Sequence, residues 1–416
     1  MKKRWVSTLS ASLPVLKSGD ILRPTLWILG LLLTQPVYAA SLHTALDHAW
    51  EKSPQAQTLE AKRAESAAQG IAANSLLPGA PSVILGYRGD QLSNNTGVRE
   101  WEAGIALPLW LPGQRDARQR QAQVGRADLE ANILALRLRL AGELREAIWQ
   151  VRRVEAQIRL DEARTLTAKK LAEDVAKRVQ AGELAKTDLN LAQNEWRTAQ
   201  AAVLQNRNQL LQAQQAYATL TGSTLLPDDS AESVQPNPLS DSHPLLEEAR
   251  QAIEVAQAQV QVTSQSRRDN PELELSSRRE RGNLNDPYAS TVALALRLPL
   301  ATHARNLPLI AAAQTALTRA QSEYTRTRLT LEYQLQQAVQ ALQAADQLLD
   351  LVRLQRTASR ENLELIQKSF SFGESDLFTL LRARAAAFEA EQAYNQQEIA
   401  QALSRARLNQ AQGVLP

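Results

Sequence analysis

Residues 291–300 read TVALALRLPL, a stretch in which large apolar residues alternate with small or polar ones. Val292, Leu294 and Leu296 fall on one face of an extended chain, and the residues between them fall on the other. This period of two predicts a β-strand with one apolar face. Three further segments carry a comparable pattern, at residues 81–90, 100–110 and 271–281.

The four segments are predicted to pair as two hairpins, 81–90 with 100–110 and 271–281 with 291–300. Four isolated strands of about ten residues need partners, and ten tilted residues are the length of an outer-membrane strand. A closed barrel would also remove their unpaired edges. The alternative is a soluble hairpin packed on helices. Aromatic residues that would suit a membrane interface lie within or near the segments: Tyr87, Trp101, Trp110 and Tyr288.

The rest of the chain is predicted to be helical. Only 33 of its 416 residues are Gly or Pro, and 18 are aromatic. Apolar residues recur at three- and four-residue steps over 129–158 and keep a heptad over 331–352, as in coiled coils. Two very long helices are therefore expected within 108–182 and 299–373, each about 100 Å long.

Proline and glycine landmarks recur at constant distances along the chain. The separations are 190 residues for Pro54 and Pro244 and for Pro81 and Pro271, and 191 for Pro108 and Pro299 and for Gly182 and Gly373. This regularity predicts two tandem repeats, at residues 40–222 and 243–416, joined by a linker at 223–242. Each repeat is expected to contain a first helix (41–77 and 244–268), two strands and two long helices that meet at a glycine turn.

Residues 1–39 are predicted to be a secretory signal peptide. Basic residues precede the apolar run 26–33, and Val37 and Ala39 are small residues suited to cleavage. Cleavage after Ala39 removes five basic residues and one acidic residue, which lowers the formal net charge from +3 to −1. The basic pI therefore gives no support to nucleic-acid binding.

The sequence contains no cysteine, and Met1 is its sole methionine. Thiol catalysis and Cys-based metal sites are thereby excluded, and no nucleotide-binding, zinc-protease or serine-hydrolase motif is present. His43 and His48 flank Asp47, but this spacing is more typical of a solvated helix surface than of a metal site. We therefore expect neither an enzyme nor a resident cofactor or metal.

Two short motifs support a family resemblance, AGIALPL at residues 103–109 and VQAGE at 179–183, the latter followed by Asp188. With the signal peptide and the duplication, they make the mature chain similar to the TolC family of outer membrane efflux proteins. The resemblance implies a mainly α fold in which the long helices build a periplasmic α-barrel. It also implies a homotrimer in which each subunit gives four strands to a twelve-stranded barrel in the outer membrane.

The same resemblance implies partners and a cargo. Family members work in tripartite pumps with a periplasmic adaptor and an inner-membrane transporter of the resistance-nodulation-division (RND) type. Residues 111–115, LPGQR, most resemble the CzcC-like branch that exports heavy-metal cations. The implied function is a passive exit duct. Multidrug efflux and type I protein secretion remain alternatives within the fold, and a soluble periplasmic coiled-coil protein is the rival from another class.

In the family, the turns at the far end from the barrel meet the adaptor. Gly182 and Gly373 mark these turns, and Phe370 and Phe372 are expected to be exposed there. The predicted docking residues are Ala181, Gly182, Glu183, Leu184, Phe372, Gly373, Glu374 and Ser375.

Family members also place acidic residues just beyond the turns, where they constrict the periplasmic aperture. Asp188 matches this position, whereas the second repeat has Thr379 and Arg382 at the corresponding places. We predict a gate of Asp188 and Asp376, held shut by pairs with Lys186 or Arg382. The alternative is that both aspartates stabilise the first turn of a helix.

Overall fold

The computed structural model describes residues 41–228, 231–234 and 240–416. The predicted signal peptide and parts of the predicted linker, 229–230 and 235–239, lie outside the described residues. The helices are α1 Leu42–Lys52, α2 Pro54–Asn74, α3 Gln114–Gln180, α4 Lys186–Thr221, α5 Pro244–Gln265, α6 His303–Ser371 and α7 Leu377–Ala411. The strands are β1 Ser82–Gly89, β2 Arg99–Pro108, β3 Glu272–Arg281 and β4 Ala289–Arg297.

The single helix predicted over 41–77 is wrong, because the structure divides it into α1 and α2. The Ser53 side chain accepts a hydrogen bond from the Ala56 N–H at 3.4 Å and so caps α2, which begins with Pro54. Proline lacks the N–H that would continue α1 but is well suited to a first helical position. The corresponding α5 begins at Pro244 and is continuous.

All four strands form one antiparallel sheet in the order β1-β2-β3-β4. The two predicted hairpins are thus joined by pairing of β2 with β3, in a register that sets Gly104 opposite Ser276. A Cβ on Gly104 would lie 2.9 Å from the Cβ of Ser276, so this close approach requires glycine. In the described part of the chain, the outer edges of β1 and β4 have no strand partner.

The sheet has an apolar face and a polar face. The cross-strand rows of the apolar face contain Val83, Leu85, Tyr87, Trp101, Ile105, Leu275, Val292, Leu294 and Leu296. Val292 and Leu294 remain 76% and 71% exposed. The soluble coiled-coil alternative required these side chains to pack against helices, which they do not. The polar face carries small residues in its middle rows, such as Ala106, Ser276 and Ala293.

The helices α3 and α6 have 67 and 69 residues, so each extends for about 100 Å. Helix α3 packs against α4 and α5, and α6 packs against α5 and α7. The apolar repeat of α3 forms a core cluster with α1 and α4 that includes Leu140, Leu144, Leu46 and Tyr217. Among the residues that the structure describes, no helix is both long enough and apolar enough to cross a bilayer.

A buried polar cluster connects the predicted linker to the helices. Arg145 of α3 is 2% exposed, and its Nε and Nη2 donate to the Glu232 carboxylate at 2.7 Å each. Its Nη2 also donates to the Val414 carbonyl, and its Nη1 donates to Gln410. Asn409 donates to the same glutamate. One side chain thereby fixes Glu232, which lies between α4 and α5, and the C-terminal segment against α3.

Candidate functional site

The two turns between the long helices have the same hydrogen bonds. In the first, the Glu183 N–H donates to the Arg178 carbonyl at 2.9 Å, and the Gly182 N–H donates to the Val179 carbonyl at 3.1 Å. In the second, Glu374 and Gly373 repeat these bonds at 3.0 and 3.1 Å. This is the Schellman arrangement of a helix C-terminus. It requires the left-handed conformation that both glycines adopt, with φ of 81° and 77°.

An apolar cluster packs the two turns side by side. Its core residues come from all four long helices: Leu171, Ala172, Val175, Ala192, Phe370, Leu377 and Leu380. Arg178 covers one side of it, with its guanidinium carbon 5.1 Å from the centre of the Phe370 ring. We call the cluster and its two turns the tip. The tip lies at the opposite end of the long helices from the sheet, since α3 and α6 each lead from a strand to a turn.

The prediction that Phe370 is exposed is wrong. Phe370 is 7% exposed, whereas Phe372 is 70% exposed. Phe370 lies in the last turn of α6 on the side that faces α7, and Phe372 is the C-cap residue beyond it. Of the predicted docking residues, Leu184 and Ser375 are half-buried and the others are exposed.

Replacing Phe370 by alanine is expected to loosen the tip by about 3 kcal/mol, because it empties the middle of the cluster. Cleavage of the two turns by a protease at low concentration should then accelerate about a hundredfold. Phe372→Ala is the matched control, since its exposed ring supports no packing, and it should change the rate little. Equal cleavage rates for the two variants would contradict the assigned packing.

The structure places both predicted gate aspartates at helix starts. Asp376 is the N-cap of α7, and its carboxylate accepts the Thr379 N–H at 3.0 Å. Asp188 lies in the first turn of α4 and accepts the Ala185 N–H at 3.1 Å. Thr379, through its side chain and its backbone N–H, and more weakly Arg382, lower the pKa of Asp376.

In the part of the chain that the structure describes, neither aspartate forms an ion pair with a basic residue predicted to hold the gate shut. Within the described chain, no ion pair joins Asp188 or Asp376 to Lys186 or Arg382. The helix-start alternative therefore accounts for the contacts made within one chain. A gate formed between several chains stays a prediction.

The polar face of the sheet is a second candidate site, which sequence reasoning missed. Its rows contain five glutamates and three arginines: Glu100, Glu102, Glu272, Glu274, Glu280, Arg88, Arg278 and Arg297. The acids stand at alternate positions of two strands, 100 and 102 in β2 and 272 and 274 in β3. That spacing was the available signal, because alternate residues of a strand share a face.

The charges on this face are partly compensated. The Arg278 Nε lies 2.8 Å from Glu100 Oε1, and its Nη2 lies 3.6 Å from Glu102 Oε1. The Arg297 Nη1 lies 3.8 Å from Glu272 Oε2. In the described part of the chain, Glu274 and Glu280 have no ion-pair partner. The polar face is therefore acidic, with an excess of two negative charges per chain.

The histidines near the start of α1 do not gather metal ligands. The His43 Nδ1 lies 3.1 Å from the Pro416 carbonyl oxygen, and its Nε2 lies 3.6 Å from Asp47. Asp47 is also 3.6 Å from Arg137. Across residues 41–228, 231–234 and 240–416, no three His, Asp or Glu residues are grouped to hold a metal ion.

Comparison with known protein families assigns the chain to one of them. The sequence profile of the outer membrane efflux protein family matches residues 45–223 and 236–414, so the chain belongs to this family. No curated protein sequence matches it. The chain is thus a protein of the Gram-negative outer membrane, and its long helices extend into the periplasm.

Solved structures share this fold. VceC, an outer membrane protein of Vibrio cholerae, matches with a TM-score of 0.70 and 18% identity over 90% of this chain and 96% of its own. CusC, whose structures were described in connection with folding and transmembrane channel formation, matches with a TM-score of 0.74 and 15% identity over 90% of this chain and 92% of its own. The MtrE outer membrane channel of Neisseria gonorrhoeae, in its open state, matches with a TM-score of 0.70 and 21% identity over 90% of this chain and 89% of its own. At these identities the likeness establishes the fold alone.

Proposed function

We propose that the chain is the exit duct of a tripartite efflux pump and that it conducts heavy-metal cations passively out of the cell. The observation that carries the proposal is the division of the sheet into an exposed apolar face and an acidic polar face. Such a sheet suits a barrel wall with lipid on one side and water on the other.

Closure of the barrel requires further copies of the chain. The outer edges of β1 and β4 expose N–H and C=O groups that a bilayer cannot hydrogen-bond. Three copies, joined β4 to β1, would give twelve strands and leave no edge. The homotrimer implied by the family resemblance would therefore pair the two strand edges that a single chain leaves unpaired.

The acidic polar face supports cations as the cargo. Three copies would add an excess of six negative charges to a narrow aqueous lumen, since each contributes five glutamates and three arginines. A lumen of one sign concentrates ions of the opposite sign. Multidrug efflux and type I secretion use the same fold, and nothing in the acidic face favours them.

The partners follow from a passive duct. Energy would come from an inner-membrane RND transporter, and a periplasmic adaptor would dock on the exposed tip residues around Gly182 and Gly373. Phe372 is 70% exposed at the tip, so Phe372→Ser should weaken adaptor binding and leave folding intact. The signal peptide at 1–39, the two repeats and the linker belong to the same proposal, as does an acidic gate formed by Asp188 and Asp376 of three copies.

Neutralising the polar face tests the cation preference. The double variant Glu102→Gln with Glu274→Gln is expected to lower the cation-to-anion permeability ratio in planar bilayers roughly twofold to fivefold. Glu51→Gln with Glu65→Gln, on the exposed surfaces of α1 and α2, is the charge-matched control and should leave the ratio unchanged. A ratio insensitive to the double variant would sink the role assigned to the acidic face.

Cargo is tested in cells. A deletion strain should become sensitive to zinc, cobalt, cadmium or copper, and the wild-type gene should restore tolerance. Sensitivity to hydrophobic drugs with normal metal tolerance would overturn the cargo and favour multidrug efflux. Loss of a secreted protein would favour type I secretion.

A further inference from the structure

Three arginines stand at the loop end of the apolar face. Arg99 begins β2, and Arg279 and Arg281 end β3. The register sets Arg279 opposite Trp101 and Arg281 opposite Arg99. Residues at alternate positions share a face, so all three arginines lie on the side of the sheet that carries Ile105 and Leu275.

Among the described residues, these arginines have no carboxylate partner. In the part of the chain that the structure describes, no ion pair includes any of them. Arg279 and Arg281 flank the Tyr288 ring, with guanidinium carbons 5.0 and 5.1 Å from its centre. The Arg281 Nε donates to the Gly97 carbonyl at 3.2 Å, and the buried Nε of Arg99 has no hydrogen-bond partner among the residues that the structure describes.

The polar face at the same height is different. There, Arg278 is paired with Glu100 and Glu102. The carboxylate of Asp90, the residue that follows β1, accepts hydrogen bonds from the Thr96 hydroxyl and the Gly97 N–H. Among the described residues, four arginines at this end have no ion pair: three lie on the outward, apolar side, and Arg88 lies on the polar face in one row with Glu100 and Glu280.

The position of the arginines along the strands sets their depth. The rings of Tyr87 and Trp101 have centroids 4.5 Å apart and form the last aromatic row before the loops. In outer-membrane strands such a row marks the interface between hydrocarbon and headgroups. Arg279 lies in this row, and Arg99 and Arg281 lie about 7 Å further toward the loops. Because the helices extend into the periplasm, the loops point out of the cell.

We propose that Arg99, Arg279 and Arg281 form a binding site for the phosphate groups of the phosphorylated glycolipid, lipopolysaccharide, in the outer leaflet. The planar guanidinium matches phosphate with two parallel hydrogen bonds, and basic clusters at headgroup depth select anionic lipids. Apolar residues below the arginines, such as Leu85, would contact the acyl chains. The site lies on the central strands β2 and β3, so it is complete within one chain and stays outward when the edges pair.

The test is a titration of the purified full-length protein in detergent micelles with deep-rough lipopolysaccharide. Arg279→Gln with Arg281→Gln is expected to weaken binding about thirtyfold, or roughly fivefold for each arginine. Arg279→Lys with Arg281→Lys keeps the charge and should retain most of the affinity. Arg88→Gln removes a charge from the polar face at the same end and should change binding little.

Three outcomes would overturn the proposal. One is equal affinity of the wild type and the double glutamine variant, with circular dichroism and oligomer size showing that both are folded. Another is undiminished binding of lipopolysaccharide whose phosphates have been removed with hydrofluoric acid, which would reduce the interaction to acyl-chain contact. The third is equally tight binding of phosphatidylglycerol, which would reduce it to general attraction of anionic lipid.

Discussion

Replacing Leu294 by lysine is expected to remove most of the folded protein from the outer membrane. Leu294 lies in the middle of β4 on the apolar face, in one row with Val83, Ile105 and Leu275. A lysine facing lipid near the bilayer midplane costs about 2–4 kcal/mol per chain. Three copies in one barrel would multiply this cost. The measurement is the folded fraction after refolding into lipid vesicles across a urea gradient.

The matched control is Ala293→Lys, one residue away on the polar face of the same strand. Water on that face would solvate the ammonium group, so the control should fold with at least half the yield of the wild type. Similar losses for both variants would show that the change disturbs the strand itself. Normal folding of the Leu294 variant would show that the apolar face does not meet lipid.

Replacing Glu232 by alanine is expected to destabilise the chain by about 3–5 kcal/mol. The change would leave Arg145 buried and charged without its carboxylate, and the loss of one partner of a buried ion pair is costly for this reason. The free energy of unfolding in detergent, measured with urea, reports the effect. Asp350→Ala breaks an ion pair with Arg353 on the helix surface and should cost less than about 1 kcal/mol.

A double variant separates the buried charge from the shape of the site. Arg145→Leu with Glu232→Leu removes both charges and should recover much of the stability that Glu232→Ala loses, because no unpaired charge remains. If Glu232→Ala is as mild as the surface control, this ion pair does not fix the segment around Glu232 against α3.

Local patterns in the sequence predicted the elements of the fold well. The period of two in residues 291–300 identified β4 and its faces, because alternation is a property of the strand itself. The glycines of the two tip turns were equally readable, since a Schellman turn needs a left-handed residue. The division at Ser53 and Pro54 also had a local signal, a capping serine before a proline, which the prediction of one helix did not use.

Contacts between distant segments could not be read in this way. The pairing of β2 with β3 joins residues such as Gly104 and Ser276, and no local pattern sets its register. The pair of Arg145 and Glu232 joins α3 to the segment between α4 and α5. Phe370 and Phe372 are two residues apart at one helix end, and only the packing of α7 determines which ring is buried.

The candidate sites also differ in how far local sequence patterns predicted them. The tip residues were predicted from the resemblance and the glycines, and the structure groups them at the end of the long helices opposite the sheet. The aspartates at 188 and 376 cap helices, a role that depends on the first turn alone. The acidity of the polar face had a local signal in the alternating glutamates of β2 and β3, but its full extent depends on the pairing of the two strands, because each strand contributes part of the charge.

The most direct test of the account is thiol accessibility during conduction, which is feasible because the chain has no cysteine. Ala295→Cys would place a thiol on the polar face beside Glu274, and Leu294→Cys would place one on the apolar face. In planar bilayers, a charged water-soluble thiol reagent should reduce the current through Ala295→Cys and leave Leu294→Cys unaffected. An equal response of the two variants would contradict an exit duct whose acidic face lines the pore.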